Sequence, residues 1–253
     1  MPSSSRAGLG IGPGHGGSAS LGAPDYWWYV ARTELLRTAL EEHIGIAPLM
    51  LDVGSADGPS VGWLDGHGWR LMLDIDPRGL EPGGVCGSAM ALPFADETFD
   101  IVCAFDVAEH CEPEALAFAE FARVLEPGGR LLMSVPAYEW AWSEFDEENG
   151  HHRRYTRKRA VRAVEAAGLS VTRSTYVFAG VFPFFAAERL GRRVRRRLTG
   201  RSEGHFPVDT VSLPDVHPRL ERMFLWLSRK EEKVLARRDL PFGSSVVVAA
   251  VKD

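Results

Sequence analysis

The chain predicts an α/β protein with a doubly wound parallel sheet, on three observations. Short apolar runs recur and end in a glycine or an acid, as at 49–54 and 69–74. Helical stretches alternate with them, and strand–helix alternation builds a parallel sheet. The first run, Leu49, Met50, Leu51 and Val53, leaves no room for a helix and has the composition of a buried strand. At 253 residues, 45% hydrophobic and 25% charged, the chain suits one such domain with an insertion. No apolar run approaches the ~20 residues that span a bilayer, and the N-terminus lacks signal-peptide order. Cys86, Cys103 and Cys111 show no C-x-x-C spacing, so a reducing cytoplasm is expected rather than disulfides or a thiolate zinc site. A net charge of -5 argues against nucleic acid as a partner.

In chain order, residues 1–24 are rich in Gly, Ser and Pro and are expected to be disordered, having too little apolar surface to offset ordering entropy. Asp25 is placed to cap a helix running to His43. That helix opens on Tyr26, Trp27, Trp28 and Tyr29, rings that either pack it onto the sheet or form a lid over a ligand. Strands are expected at 48–53, 69–74, 84–86, 99–105 and 130–135. The clearest helix, 112–125, is closed by Pro127-Gly128-Gly129. Thr156 caps a further helix ended by Gly168, and strands follow at 169–178 and 245–251. The stretch 179–240 between them is too long for a plain loop and reads as an inserted helical subdomain. Within it, 189–201 hold seven arginines (Arg189, Arg192, Arg193, Arg195, Arg196, Arg197 and Arg201) and no acid, beside Val181-Phe182-Pro183-Phe184-Phe185. That combination suits an anionic membrane surface or a phosphate-bearing substrate; the plainer alternative is a solvated helix face with inward phenylalanines.

Ligands of doubly wound sheets sit outside the carboxyl ends of the strands, which here carry Asp52, Asp74, Asp106 and Pro136. At the first of these ends Asp52, Gly54 and Gly58 are spaced D-x-G-x-x-x-G, where glycine lets the backbone approach a ligand closely. An acid there repels phosphate and suits a cationic or hydroxyl-bearing ligand. About 20 residues further on, where a ribose-binding carboxylate belongs, the second apolar run ends in Asp74.

This stretch resembles the cofactor loop of class I S-adenosylmethionine-dependent methyltransferases. Residues 91–100, Ala-Leu-Pro-Phe-Ala-Asp-Glu-Thr-Phe-Asp, and 123–129, Arg-Val-Leu-Glu-Pro-Gly-Gly, are similar to the L-P-F-x-D-x-x-F-D and R-V-L-x-P-G-G signatures of the type 11 methyltransferases, a broad group that includes ubiquinone-biosynthesis enzymes. The resemblance covers 25–155 and a last strand. It implies a Rossmann-like, doubly wound, seven-stranded sheet with an antiparallel last strand and a helical insertion before it. The domains are then a tail at 1–24, a cofactor-binding core at 25–178, the inserted basic subdomain at 179–240 and a last core strand at 241–253. It implies S-adenosylmethionine as cofactor, held by Asp52, Gly54, Ser55, Gly58, Asp74, Ile75, Ser88, Ala89, Met90 and Asp106. Arg32, which follows the aromatic pair, is expected to hold the cofactor's carboxylate. The family commonly has Asp where this chain has Ser88, which moves the adenine contact towards Met90 or a backbone group.

Two groups face the acceptor side. Asp106, Glu109 and His110 follow the fourth long strand and share one face if a helical turn begins there. The second, 146–155, contains His151, His152, Arg153, Arg154 and Tyr155, and is similar to an H-x-R-R-Y-T pattern of bacterial methyltransferases linked with cell-surface glycan genes. His151, His152 and His110 are the candidate bases, and Trp28, Arg153, Arg154 and Tyr155 the candidate acceptor contacts; pairing of the two arginines with Asp146 or Glu147 is the plainer alternative. Asp106-x-x-Glu109-His110 also resembles the E-x-x-E-H pattern of small-RNA 2′-O-methyltransferases and ubiquinone-biosynthesis O-methyltransferases. That resemblance implies a divalent metal (Zn, Mn, Fe or Mg) on Asp106, Glu109, His110 and His151. The expected activity is O-methylation of a hydroxyl on a small-molecule or glycan-type acceptor, in the cytoplasm or peripherally at the membrane. N- or carboxyl-methylation stays open. The alternative from another class is a non-catalytic cofactor-binding or membrane-docked regulatory protein, favoured by Ser88 and the arginine cluster.

Overall fold

The computed structural model describes residues 25–199 and 216–253. The expected tail at 1–24 and Arg201 lie outside these, as do the side chains of Arg192, Arg193, Arg195, Arg196 and Arg197. Helix α1 (Trp27–Leu40) leads into β1 (Leu49–Val53), a 3₁₀ segment (Ser55–Leu64), β2 (Trp69–Asp74), β3 (Val85–Cys86) and β4 (Phe99–Phe105). Next come α2 (Glu114–Val124), β5 (Leu125–Pro136), α3 (Glu144–Glu148), α4 (Arg157–Ala166) and β6 (Leu169–Val177). Helices α5 (Phe182–Thr199) and α6 (Pro218–Leu235) separate β6 from β7 (Ser245–Lys252). One seven-stranded sheet results, in the order β3-β2-β1-β4-β5-β7-β6. Strands β1 to β5 pair in parallel, and β7 runs antiparallel to both neighbours. The order reverses between β1 and β4, and the crevice at that switch point is where a ligand belongs.

The central strands are apolar because both their faces are covered: Met50, Leu51, Ile101, Val102, Leu131 and Leu132 are fully buried. Helix α1 covers one face through Ala31, Leu35, Leu36, Ala39 and Leu40, spaced three and four apart. Helix α2 does the same through Ala117, Phe118, Phe121 and Val124.

Two local expectations need correction, and the connection after β1 takes a form the sequence leaves open. Asp25 does not cap α1: the helix starts at Trp27, its N-cap is extended Tyr26, and no side chain caps it. The connection after β1 is 3₁₀ rather than α, and its own sequence explains this, since Gly58, Pro59 and Gly62 all oppose regular helix. Pro127-Gly128-Gly129 is not a helix cap but belongs to β5, which begins directly after α2. Gly128 is left-handed there (φ +80°), and the register against β4 shifts between Phe99 and Ile101, a bulge that glycine permits. Thr156 does cap α4, its hydroxyl accepting from the Arg159 amide.

The phenylalanines that open α5 are largely spent on the protein body. Phe182 packs on Tyr138 and Trp140, and Phe185 lies beneath the guanidinium of Arg154. Phe184 touches Phe224 of α6, which also packs on Trp27 of α1. Trp28 stacks on Phe178. Trp27 therefore joins helices rather than covering a ligand.

Candidate functional site

At the end of β1 the chain turns through Gly54 with φ +72°, and a Cβ there would lie 2.6 Å from Cγ2 of Val107. Only glycine fits so close an approach of the turns after β1 and β4. Ser55 is buried behind it. Gly58 lies in the 3₁₀ segment. Asp74 ends β2, with Oδ1 accepting from the Asp76 amide at 2.8 Å. Ile75 beside it is 74% exposed, an apolar face with no protein cover. Ser88, Ala89 and Met90 form a tight turn in which the Met90 amide donates to the Ser88 hydroxyl. A glycine cradle, an acid one strand away and an uncovered isoleucine fit an adenosine: hydroxyls at Asp74, a base against Ile75 and the Ser88 turn.

Three expected cofactor contacts, Asp52, Arg32 and Asp106, are already engaged within the protein. The Asp52 carboxylate is buried and ion-paired with Arg70 at 2.9 Å, so it balances a charge within the sheet. Arg32 is buried with its guanidinium over the Trp28 ring, and it donates to Asp106 Oδ2 at 3.0 Å. Asp106 has φ +59° and also accepts from the Ser134 hydroxyl at 3.0 Å. Arg32 thus meets a protein carboxylate, and Asp106 is drawn away from the residues after it. The turn that follows is 3₁₀ and covers only Ala108–His110, so Asp106 does not share its face.

Glu109, His110 and His151 do come together, with one potential ligand atom of each within 4.8 Å of the others. Glu109 is fully buried and neither of its carboxylate oxygens has a hydrogen-bond partner. Burial, and then the Asp106 charge, push its pKa well above the usual carboxylate range. The His110 ring meets His151 edge-on at 4.6 Å between centroids. Its outer edge reaches solvent, yet the protein mass around the ring, and then His151, lower its pKa to about 4. His110 is therefore neutral at pH 7.

Behind His151 stands a residue named in the sequence only as a partner for arginine. Asp146 is 0% exposed, and its Oδ1 meets His151 Nδ1 at 2.9 Å. Arg154 grips the same carboxylate from Nε at 2.8 Å and Nη2 at 3.1 Å, and the Ser143 amide donates at 2.9 Å. Burial alone would raise the Asp146 pKa, but the His151 and Arg154 bonds outweigh it and hold it down to about 2. The group is then an anion that can only accept. His151 must donate from Nδ1, leaving the Nε2 lone pair for another group.

The other acceptor-side residues fall elsewhere. Arg154 is buried on Asp146, and Arg153 is buried in ion pairs with Glu112 and Glu114 and donates to the Cys111 carbonyl. Tyr155 is fully buried with its hydroxyl on Glu114. These three hold the loop together and do not face an acceptor, a correction to the sequence reading. His152 is exposed, and its ring lines an open cleft of about 450 Å³ with Glu112, Glu114, Glu139 and Arg159, apart from the His110–His151 pair. Glu114 pairs there with Arg159, and Arg153 reaches both Glu112 and Glu114, so the cleft is not the candidate site.

A crevice at the strand switch point, a glycine cradle at β1 and an acid ending β2 define a nucleoside-binding α/β domain. The particular class follows from comparison: residues 51–133 match the methyltransferase domain family, and the fold is that of class I S-adenosylmethionine-dependent methyltransferases. It is 30% identical over 192 residues to an uncharacterized methyltransferase of Mycobacterium leprae, covering 69% of this chain and 64% of that one. The chain thus spans less than two thirds of that relative's length. It is 36% identical over 99 residues to a malonyl-[acyl-carrier protein] O-methyltransferase of Herminiimonas arsenicoxydans, covering 35% and 37% of the two chains. Among solved structures, the fold resembles a 1,6-didemethyltoxoflavin-N1-methyltransferase of Burkholderia thailandensis with bound S-adenosylhomocysteine (TM-score 0.51, 14% identity, 92% and 84% coverage).

Proposed function

We propose that this protein transfers a methyl group from S-adenosylmethionine to a hydroxyl of a small or sugar-like acceptor, with His151 as the proton acceptor. The observation that carries this is the buried Asp146–His151 pair at the acceptor end of the sheet. When bound, the cofactor supplies a sulfonium-activated methyl group for in-line displacement. The chain's own task is alignment and removal of one proton. Gly54, Asp74 and the Ser88 turn hold the donor. Asp146 fixes the His151 tautomer and stabilises the ring once it is protonated, and Arg154 and Ser143 fix Asp146. The proton moves from the acceptor oxygen to His151 Nε2. The relatives' printed names include an O- and an N-methyltransferase, so the hydroxyl rests on the histidine base and not on them.

A second reading is favoured by Glu109, whose two oxygens are buried without partners beside two imidazoles. Glu109, His110 and His151 would hold a divalent zinc, manganese, iron or magnesium ion, with Asp146 orienting His151 from behind as second-shell carboxylates do. Such an ion would acidify a bound hydroxyl and make a strong protein base unnecessary. Asp106 is left out of this set because Arg32 and Ser134 hold it.

The test is release of S-adenosylhomocysteine by purified protein over a panel of alcohol and sugar acceptors. His151→Ala should lower turnover by roughly 10²–10⁴-fold with S-adenosylmethionine affinity unchanged. Undiminished turnover in that variant overturns the base. Activity that survives both exhaustive chelation and His110→Ala rules out the metal.

A further inference from the structure

Among the described residues no helix is long and apolar enough to cross a membrane. One helix nevertheless presents an amphipathic surface that the methyl-transfer site does not use. Along α6, Arg219, Arg222 and Trp226 are spaced by three and four, and Arg229 and Lys230 follow Trp226 by three and four with Lys233 a further turn on, so the six form one face. All six are exposed, and Trp226 at the centre is 56% exposed. The Lys230 ammonium sits over its ring at 5.5 Å. None of the five cations is within ion-pair distance of an acid among the described residues. The opposite face, Ser228, Glu231 and Leu235, is buried, and Phe224 packs on Trp27 of α1. The acids of α6 lie off the cationic face: Glu231 is buried, and Glu221 and Glu232 are half-buried.

We propose that this face of α6 docks on an anionic lipid bilayer. Five cations without an ion-pair partner among the described residues, on a chain of net charge -5, make a local positive patch complementary to acidic headgroups. Such a patch would suit any polyanion; the tryptophan decides between them. An indole left more than half exposed in mid-helix, with its polar edge and a cation beside it, is suited to the headgroup boundary, where one side of the ring is apolar and the other wet. Leu220, 44% exposed on the first turn, adds apolar surface at the helix start. Nucleic acid would be met by a series of stacking rings, and α6 offers one. The surface differs from the one expected at 182–201: the phenylalanines there turn mostly inward, and the docking residues lie on the second helix of the insertion.

The experiment is co-sedimentation of the full chain with phosphatidylcholine vesicles, with and without phosphatidylglycerol, followed also by tryptophan fluorescence. Binding should require the anionic lipid and be lost at about 1 M salt, where the Debye length falls to ~3 Å. Each cation removed should weaken it about fivefold, so Arg222→Gln/Arg229→Gln/Lys233→Gln should weaken it about 100-fold. Wild-type fluorescence should shift to the blue on vesicles, and Trp226→Phe should lack that shift. The substituted side chains are exposed, and circular dichroism with S-adenosylmethionine affinity checks that the fold and donor site are intact. No sedimentation at low salt, or binding indifferent to the triple variant and to Trp226→Ala, overturns the proposal. So does capture of duplex DNA or RNA through these residues without vesicle binding. Docking stands on α6 alone, so its failure is separable from any failure of methyl transfer.

Discussion

The two halves of the candidate site are built from different materials. The donor half is mostly backbone: a left-handed glycine at β1, a turn at Ser88, and an uncovered Ile75 beside the buried Asp74. The acceptor half is side chains: Asp146, fully buried, holds His151, Arg154 and the Ser143 amide at once. A backbone cradle tolerates change in its side chains but not in its φ angles. A buried charge network tolerates neither, because every partner removed strands another charge. The donor half should therefore fail in binding, and the acceptor half in stability as well as turnover.

The largest expected effect is on the acceptor side. Asp146→Ala leaves the Arg154 guanidinium buried without its carboxylate, and breaking a buried pair in this way costs about 3–5 kcal/mol. Asp74→Ala removes a buried carboxylate that accepts from the Asp76 backbone amide, and should cost about 1 kcal/mol of stability while weakening S-adenosylmethionine binding. Urea denaturation of both variants measures the contrast, and equal losses would break it. Next in size is Gly54→Val, whose Cβ would meet Val107 at 2.6 Å in a backbone that is left-handed. Calorimetry should show S-adenosylmethionine affinity down by about 100-fold, or ~2.7 kcal/mol. Unchanged affinity would remove Gly54 from the cradle.

The same contrast explains what could be read before folding. The strands were legible because a two-sided buried strand must be apolar along its length, whatever it packs against. The close approach at Gly54 and the acid ending β2 at Asp74 were legible because such a glycine and such an acid recur at fixed spacing in this kind of sheet. Arg153, Arg154 and Tyr155 pointed the wrong way. The partners of Arg153 and Tyr155, Glu112 and Glu114, lie some forty positions away, and no local pattern shows that a charged run is buried. Asp146 could be paired with an arginine on sequence distance alone. Its grip on His151 required the loop to close around it, which the left-handed Gly150 makes feasible. The Arg32–Asp106 pair spans 74 positions and carries no sequence signal at all.

Acidification separates the two halves again. The Asp146 pKa falls from 3.8 to about 2 on folding, so the unfolded chain binds more protons between those values. Its stabilising contribution is complete above pH 4 and is lost as pH falls towards 2, and the shift corresponds to about 2 kcal/mol. Asp146→Asn should be less stable than wild type at pH 7, with the gap narrowing by about that amount across this window. A gap that stays constant from pH 4 to pH 2 would show that the carboxylate is not held by its partners.

The smallest effect tests how far the donor half is backbone alone. The Ser88 hydroxyl accepts from the Met90 amide at 3.2 Å and so shapes the turn that would face the adenine. Ser88→Ala deletes that bond and leaves a half-buried amide to water, a change of about 1 kcal/mol. S-adenosylmethionine affinity should then fall about fivefold, with thermal stability nearly unchanged. Ser88→Asp keeps an acceptor for the Met90 amide and adds a carboxylate oxygen towards the ligand, so it should bind at least as tightly as wild type. If both variants bind like wild type, the turn is held by the Ala91 amide on the Ser88 carbonyl, a bond that neither substitution touches. The donor half would then depend on no side chain in this turn, and the contrast with Asp146 would be sharper still.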